Sequence, residues 1–187
     1  MEKRTIDVYE YAREIVQGIH TGGLLTTRAD RQTDTMTIGW GTFGVNWAKP
    51  VFAAYISRYR YTMEMLKKNP EFTVNLPLGP FNKKILGICG SAHGNVVDKV
   101  EKAGLTPVES TLVAPPGFRE LPLTLECRVI YQQLQDLSLY PPDILKQFYP
   151  QDVPGTATMF NKEPHYTIFG EVVHAYVIED DNNNKKE

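Results

Sequence analysis

Apolar and polar side chains alternate along several stretches of this chain. Over residues 35–40, Met36, Ile38 and Trp40 point one way and Thr35, Thr37 and Gly39 the other, as in a strand with one buried face. Val51 to Ile56 reads as a largely apolar strand, set off by the break at Lys49-Pro50. Leu24 to Thr27 is a short strand after Gly22-Gly23, and Phe72 to Leu76 another. Leu123 to Leu134 places Leu125, Cys127, Val129 and Tyr131 on one face, and Tyr166 to Ile178 is the last strong strand. Helical spacing runs from Ile6 to Gly18 through Val8, Tyr11, Ala12, Ile15 and Val16. A second helix takes Thr62 as N-cap, Glu64 in its first turn, Lys67 and Lys68 in its last, and Pro70 beyond its end. Phe81 to Ile88 predicts a short helix, and Asn95 to Ala103 a better one ended by Gly104.

Residues 106–122 and 141–164 are proline-rich and predict irregular chain, with one helical turn near Ile144 to Phe148. Six strands with few intervening helices do not make a βαβ array. They predict a mainly β fold, an antiparallel barrel with helices packed outside. Residues 1–178 read as a single domain and 179–187 as a polar tail.

Composition narrows the partners. Hydrophobic residues make up 42% of the chain, enough for a compact core. The net charge of -2, without a long basic run, argues against nucleic acid. No apolar stretch approaches the roughly 20 residues of a membrane span, and the charged N-terminus has no apolar signal core, so a cytoplasmic protein is expected. Cys89 and Cys127 lie far apart, and no His/Cys ligand cluster predicts a metal.

The segment 34–76 carries the chemistry. Its two strands feed a turn with Arg58 and Arg60 just before a helix start. Arginines there can fork onto phosphate oxygens beside the unpaired N–H groups of the helix, with the Thr62 hydroxyl as a further donor. The same residues also describe a capped helix with solvated arginines. The stretch Asp34-Thr35-Met36-Thr37 can present polar groups to the rim of a flat ring, with Trp40 nearby; the plain alternative is a half-buried strand with Trp40 in the core. Taken together, the segment suits a flat aromatic ligand bearing a phosphate, such as a flavin nucleotide. Of the four histidines, His165 stands out, at the mouth of the last strand after Pro164. Cys89-Gly90-Ser91-Ala92-His93-Gly94 reads as a flexible loop whose thiol has no base partner in the sequence. No GxGxxG, Walker loop or nucleophile elbow is present.

In order, these segments resemble the flavin reductase-like, FMN-binding split-barrel family, especially its flavoredoxin branch. The blocks are Asp34-Thr35-Met36-Thr37-Ile38-Gly39-Trp40, the strand from Pro50 to Arg60-Tyr61-Thr62, Phe72-Thr73-Val74-Asn75-Leu76-Pro77, and Cys89-Gly90-Ser91 running on to Asp98-Lys99. The last is Glu163-Pro164-His165-Tyr166-Thr167-Ile168-Phe169-Gly170-Glu171-Val172. The resemblance implies a six-stranded Greek-key split barrel and a homodimer with FMN near the subunit interface. It implies that Asp34, Thr35, Met36 and Thr37 line the flavin ring with Trp40 close by. Arg60 and Thr62 would hold the phosphate, with Ser57, Arg58 and Tyr61 nearby. Lys99 would reach the FMN, and His165 would border the ring where a nicotinamide stacks. The implied function is an FMN-dependent oxidoreductase passing electrons from NAD(P)H through FMN to a free flavin or a redox protein. A flavoredoxin-like electron carrier and a non-catalytic FMN-binding module are the alternatives, and a barrel that has lost its cofactor is a fourth. Two positions depart from the family pattern. Asp34 stands where the family has Asn, and an ionised carboxylate accepts but does not donate. Glu163-Pro164 replaces Gly-Asp before His165 and stiffens that loop.

Overall fold

The computed structural model describes residues 2–91, 94–153 and 162–179. In chain order the elements are β1 (Glu2–Thr5), α1 (Ala12–Thr21), β2 (Gly23–Ala29), β3 (Gln32–Ile38), β4 (Gly41–Asn46), β5 (Lys49–Ser57), α2 (Tyr61–Lys68) and β6 (Glu71–Leu76). There follow α3 (Lys84–Ser91), α4 (Lys99–Lys102), β7 (Pro107–Val108), β8 (Gly117–Phe118), β9 (Leu123–Leu134), a 3-10 turn at Leu137–Leu139, α5 (Pro142–Phe148) and β10 (His165–Glu179).

Eight of the strands make one antiparallel sheet in the order β3-β2-β6-β9-β10-β5-β4, with β1 paired to the far end of β10, and β7 and β8 pair with each other. The sheet curls around a single apolar interior. Leu25, Met36, Phe52, Ile56, Phe72, Val74, Leu125 and Ile168 meet there, supplied by alternate positions of six strands. β3 and β4 are the ends of the path and share no ladder. The expected split barrel with outside helices is therefore what the chain forms. It uses eight strands in this sheet where the sequence predicted six, the additions being β1 and β4.

Curvature is concentrated in β10. Its register against β9 shifts between Phe169 and Gly170 and again between Val172 and His174, and such bulges bend a strand and raise its twist. Gly170 sits at the first bend because the barrel interior closes on it. A Cβ there would lie 2.4 Å from Phe72 Cζ and 2.9 Å from Cys127 Cβ.

The outer face of β2, β6 and β9 is not exposed to water. Leu24 packs with Ile85 and Cys89 of α3 and with Phe118 and Leu121 of the proline-rich stretch. Beside them runs a buried polar chain. Thr26 Oγ1 lies 3.0 Å from Thr35 Oγ1 and donates to Asn75 Oδ1, and Asn75 Nδ2 donates to Thr124 Oγ1. Thr73 donates to Pro116 O at 2.7 Å, tying the proline-rich loop to the barrel.

Several expectations need correction. Residues 6–11 are not helical, and α1 starts at Ala12. Lys49 and Pro50 do not break a strand but open β5, where Pro50 lies beyond the β10 ladder that ends at Val51 and leaves no gap in it. Cys89-Gly90-Ser91 is the last turn of α3, not a loop, while Ala92 and His93 lie outside the described residues. The helix predicted over 95–103 is shortened to α4, because Asp98 is its N-cap and accepts from Val100 and Glu101 N–H groups. The polar stretch 180–187 lies outside the described residues.

Candidate functional site

At its free end the sheet presents an open edge. Among the described residues β3 is bonded to β2 alone, so its second edge carries backbone N–H and C=O groups with no strand partner there. That edge borders a cavity of about 160 Å³. Its walls are residues 36–40 from β3 and its exit, Tyr55 and Ser57 of β5, Arg60, and His165. The register of β10 on β5 puts His165 directly opposite Ser57, and a tight turn closed by Arg60 N–H donating to Ser57 O swings Arg60 to the same mouth.

Arg60, not Thr62, is the N-cap residue of α2, in extended conformation and without a side-chain cap bond. Its guanidinium donates from Nη1 to Gly90 O at 3.0 Å, which holds the end of α3 against the cavity. The remaining guanidinium donors form no hydrogen bond among the described residues, so Arg60 can still fork onto an anion. Thr37 donates to Leu86 O at 2.6 Å and fixes β3 under α3.

Trp40 is 38% exposed and stands in the gap between β3 and β4 rather than in the core. Its ring centroid lies 5.3 Å from that of His165 and 5.8 Å from that of Phe148. A second cavity of about 350 Å³ opens on its other neighbours, lined by Tyr55, Gln135, Tyr140, Ile144, Phe148 and Tyr149 along with Trp40 itself. Trp40 and Tyr55 are common walls of the two cavities. No charged side chain among the described residues lines the second one. The sequence reading gave residues 141–164 only a helical turn among prolines; the signal for this wall was the aromatic set Tyr140, Phe148 and Tyr149 in and beside that stretch.

His165 is buried, and its Nδ1 lies 3.2 Å from the Tyr149 hydroxyl. Desolvation, then the nearby Arg60 charge, pushes the imidazole down to about 4, while burial pushes the Tyr149 phenol up to about 12. Both groups are neutral at pH 7. Because the folded imidazole titrates below its ordinary 6.5, the unfolded chain binds the extra proton between these values. This contribution is complete above about pH 6.5 and is lost as pH falls toward 4. Chemical denaturation between pH 7.5 and 4.5 will therefore show a steeper acid loss in the parent protein than in His165→Gln. Equal slopes would mean that the folded imidazole takes up its proton normally.

The predicted residues form two groups and three that stand apart from both. Met36, Thr37, Trp40, Ser57, Arg60 and His165 come together around the first cavity. Asp34, Thr62 and Lys99 instead meet one another. Lys99 Nζ lies 2.6 Å from Asp34 Oδ1, and Thr62 Oγ1 donates to Asp34 Oδ2 at 3.0 Å, with all three side chains buried. The Lys99 contact is an ion pair without hydrogen-bond alignment, and Oδ1 accepts no other bond among the described residues. Gly94 covers that oxygen so closely that a Cβ there would lie 1.9 Å from it. Thr35 turns onto β2, and Tyr61 donates its hydroxyl to Gln32. Arg58 is exposed, stacks over Tyr59 and pairs with Glu163 at 3.4 Å. Cys89 is fully buried and its thiol is pushed up to about 11, chiefly by desolvation, so it is not a nucleophile at neutral pH.

An anionic planar nucleotide suits the first group: a strand edge of backbone donors and acceptors, an arginine with free donors, and an aromatic wall. Lys99 lies apart from that group, its charge paired with Asp34.

The flavin reductase like domain matches residues 19–185 of the chain. An uncharacterized protein of Archaeoglobus fulgidus is 27% identical over 146 residues, 78% of each chain. Among solved structures, an FMN-binding domain of a flavin reductases-like enzyme from Shewanella baltica has a TM-score of 0.63 at 16% identity, covering 94% of this chain and 77% of that one. Flavoredoxin from Methanosarcina acetivorans has a TM-score of 0.59 at 24% identity, covering 84% of this chain and 68% of that one. With nearly its whole length matched by the domain, the chain belongs to the flavin reductase-like family.

Proposed function

We propose that this protein binds FMN along the open edge of β3 and passes electrons from a reduced nicotinamide nucleotide to a second acceptor. The observation that carries the reading is one cavity walled by that edge, Arg60, Trp40 and His165. The FMN-binding domain from Shewanella baltica and the flavoredoxin from Methanosarcina acetivorans, which share the fold, support it. Bound FMN supplies hydride and single-electron chemistry that no side chain here can perform. The chain's own residues have simpler tasks. The edge of β3 supplies backbone hydrogen bonds to the polar rim of a ring, and its N–H groups stabilise negative charge there. Arg60 answers the phosphate. Trp40 covers the ring and excludes water. His165 and Tyr149, both neutral, border it without adding charge.

A second reading, a flavoredoxin-like electron carrier, draws support from the adjoining cavity. Its walls are mainly aromatic and carry no charge among the described residues, whereas a nicotinamide dinucleotide carries phosphates that ask for cations. NADH and NADPH reduction rates of the loaded protein, set against reduction by a redox protein, separate the two readings.

The test of binding is direct. The purified protein will show flavin absorption, or acquire it on adding FMN, and denaturation will release FMN. Arg60→Ala will weaken FMN binding by about tenfold to a hundredfold, the worth of one or two charge-assisted hydrogen bonds. Unchanged affinity in that variant would place the phosphate elsewhere.

A further inference from the structure

Asp34, Thr62 and Lys99 form a closed buried set immediately beside the proposed cofactor site. Asp34 shares a face of β3 with Met36, which lines the cavity, and Thr62 follows Arg60 by two residues. The Lys99 and Asp34 side chains are only 4% and 1% exposed and lie 2.6 Å apart. The second carboxylate oxygen accepts a hydrogen bond from the Thr62 hydroxyl, and Gly94 packs against the first, which accepts none among the described residues. A lysine and a threonine that would otherwise answer an incoming phosphate are thus already answered by an internal anion.

We propose that Asp34 is an internal competitor for the cofactor's phosphate: it neutralises Lys99 and occupies Thr62, leaves Arg60 as the effective anchor among the described residues, and keeps the bound nucleotide exchangeable. The inference rests on the FMN reading given above. A phosphate that recruited Lys99 would strip the cation from a buried carboxylate and strand that charge. It would also approach the carboxylate itself at short range, in a site that screens charge poorly. An asparagine at position 34 removes both penalties. Its amide still accepts from Thr62 and leaves Lys99 with an uncommitted positive charge.

The experiment is a fluorescence titration with FMN and, in parallel, with riboflavin, which lacks the phosphate. Asp34→Asn should bind FMN at least about tenfold more tightly than the parent protein, with riboflavin affinity unchanged. The double variant Asp34→Asn/Lys99→Gln should lose that gain. An Asp34→Asn protein that binds FMN no tighter than the parent overturns the proposal while leaving FMN binding itself intact. The same holds for a double variant that keeps the gain. If neither parent nor variant binds FMN or riboflavin, the functional reading fails and takes this inference with it. A measurement that leaves Asp34 in place gives an independent check. In Arg60→Ala the preference for FMN over riboflavin should vanish, because Lys99 contributes nothing to it. A preference surviving there would show Lys99 already engaged with phosphate and would refute the competition.

Discussion

Lys99→Met will destabilise the fold by roughly 3–5 kcal/mol, the usual consequence of removing one partner from a buried ion pair. The reason is local. Asp34 Oδ1 has Lys99 as its one close cation and accepts no hydrogen bond among the described residues. Gly94 packs against that oxygen so closely that a methyl group there would overlap it. The carboxylate must then stay buried and uncompensated, take up a proton, or push the 94–98 segment away. Neutralising both members should recover most of the loss, because a buried pair is often replaceable by uncharged groups of similar volume. Urea denaturation of the parent, Lys99→Met and Asp34→Asn/Lys99→Met checks this, with similar m-values confirming that stability alone has changed. A single variant as stable as the parent would show that the pair is solvated.

Glu126→Ala is the other substitution with a large expected effect, about 2–5 kcal/mol from the loss of two backbone hydrogen bonds to a charged acceptor. Glu126 is fully buried on the outer face of β9. It accepts from Thr111 N–H at 2.7 Å and Leu112 N–H at 2.6 Å, and His174 Nδ1 lies 3.2 Å away. Removing it takes the carboxylate acceptor from two loop N–H groups. The damage should be greatest where the loop crosses the barrel, so amide exchange over residues 106–118 will rise before that of β6 or β9. Glu126→Gln keeps one acceptor oxygen and should fall between the two. If the loop exchanges no faster in Glu126→Ala, its hold on the barrel comes from Thr73 and the apolar contacts of Phe118 instead.

The strands that face the barrel interior were legible because burial on one side writes a period of two into them. Met36 and Ile38, or Leu125 and Cys127, are enough to locate β3 and β9. β1 left no such trace: Glu2, Lys3, Arg4 and Thr5 are all exposed, and the strand exists only because β10 offers an edge. The β4–β5 hairpin was hidden by its turn. Trp47 and Ala48 both adopt left-handed conformations, φ 52° and 57°, at positions where Asn or Gly is the usual sign of a two-residue turn. At the site, the nearness of Arg60, Ser57 and residues 36–40 followed from strand, turn and helix in succession. The Asp34–Lys99 pair did not. A charge on β3 and one on α4, 65 residues on, carry no mark of contact until the fold closes, and Asp34 looked like a lining residue because its neighbours are. Tyr149 was passed over for a similar reason: its bond to His165 depends on where α5 docks, not on any local pattern.

β10 also shapes the order in which the molecule can be made. It pairs with β9, β5 and β1, all of which precede it in the chain. During synthesis the segment up to β9 leaves the ribosome with β5 and β9 still apart and β1 unpaired. β2, β3, β6 and β9 can zip together as they emerge, but β5 and β4 join them only through β10. The final closure spans a very long loop, from Glu2 to Glu179, and such contacts are slow to form. Nascent chains stalled short of His165 should therefore hold half a barrel, with two open strand edges as sites for chaperones or for pairing with another chain.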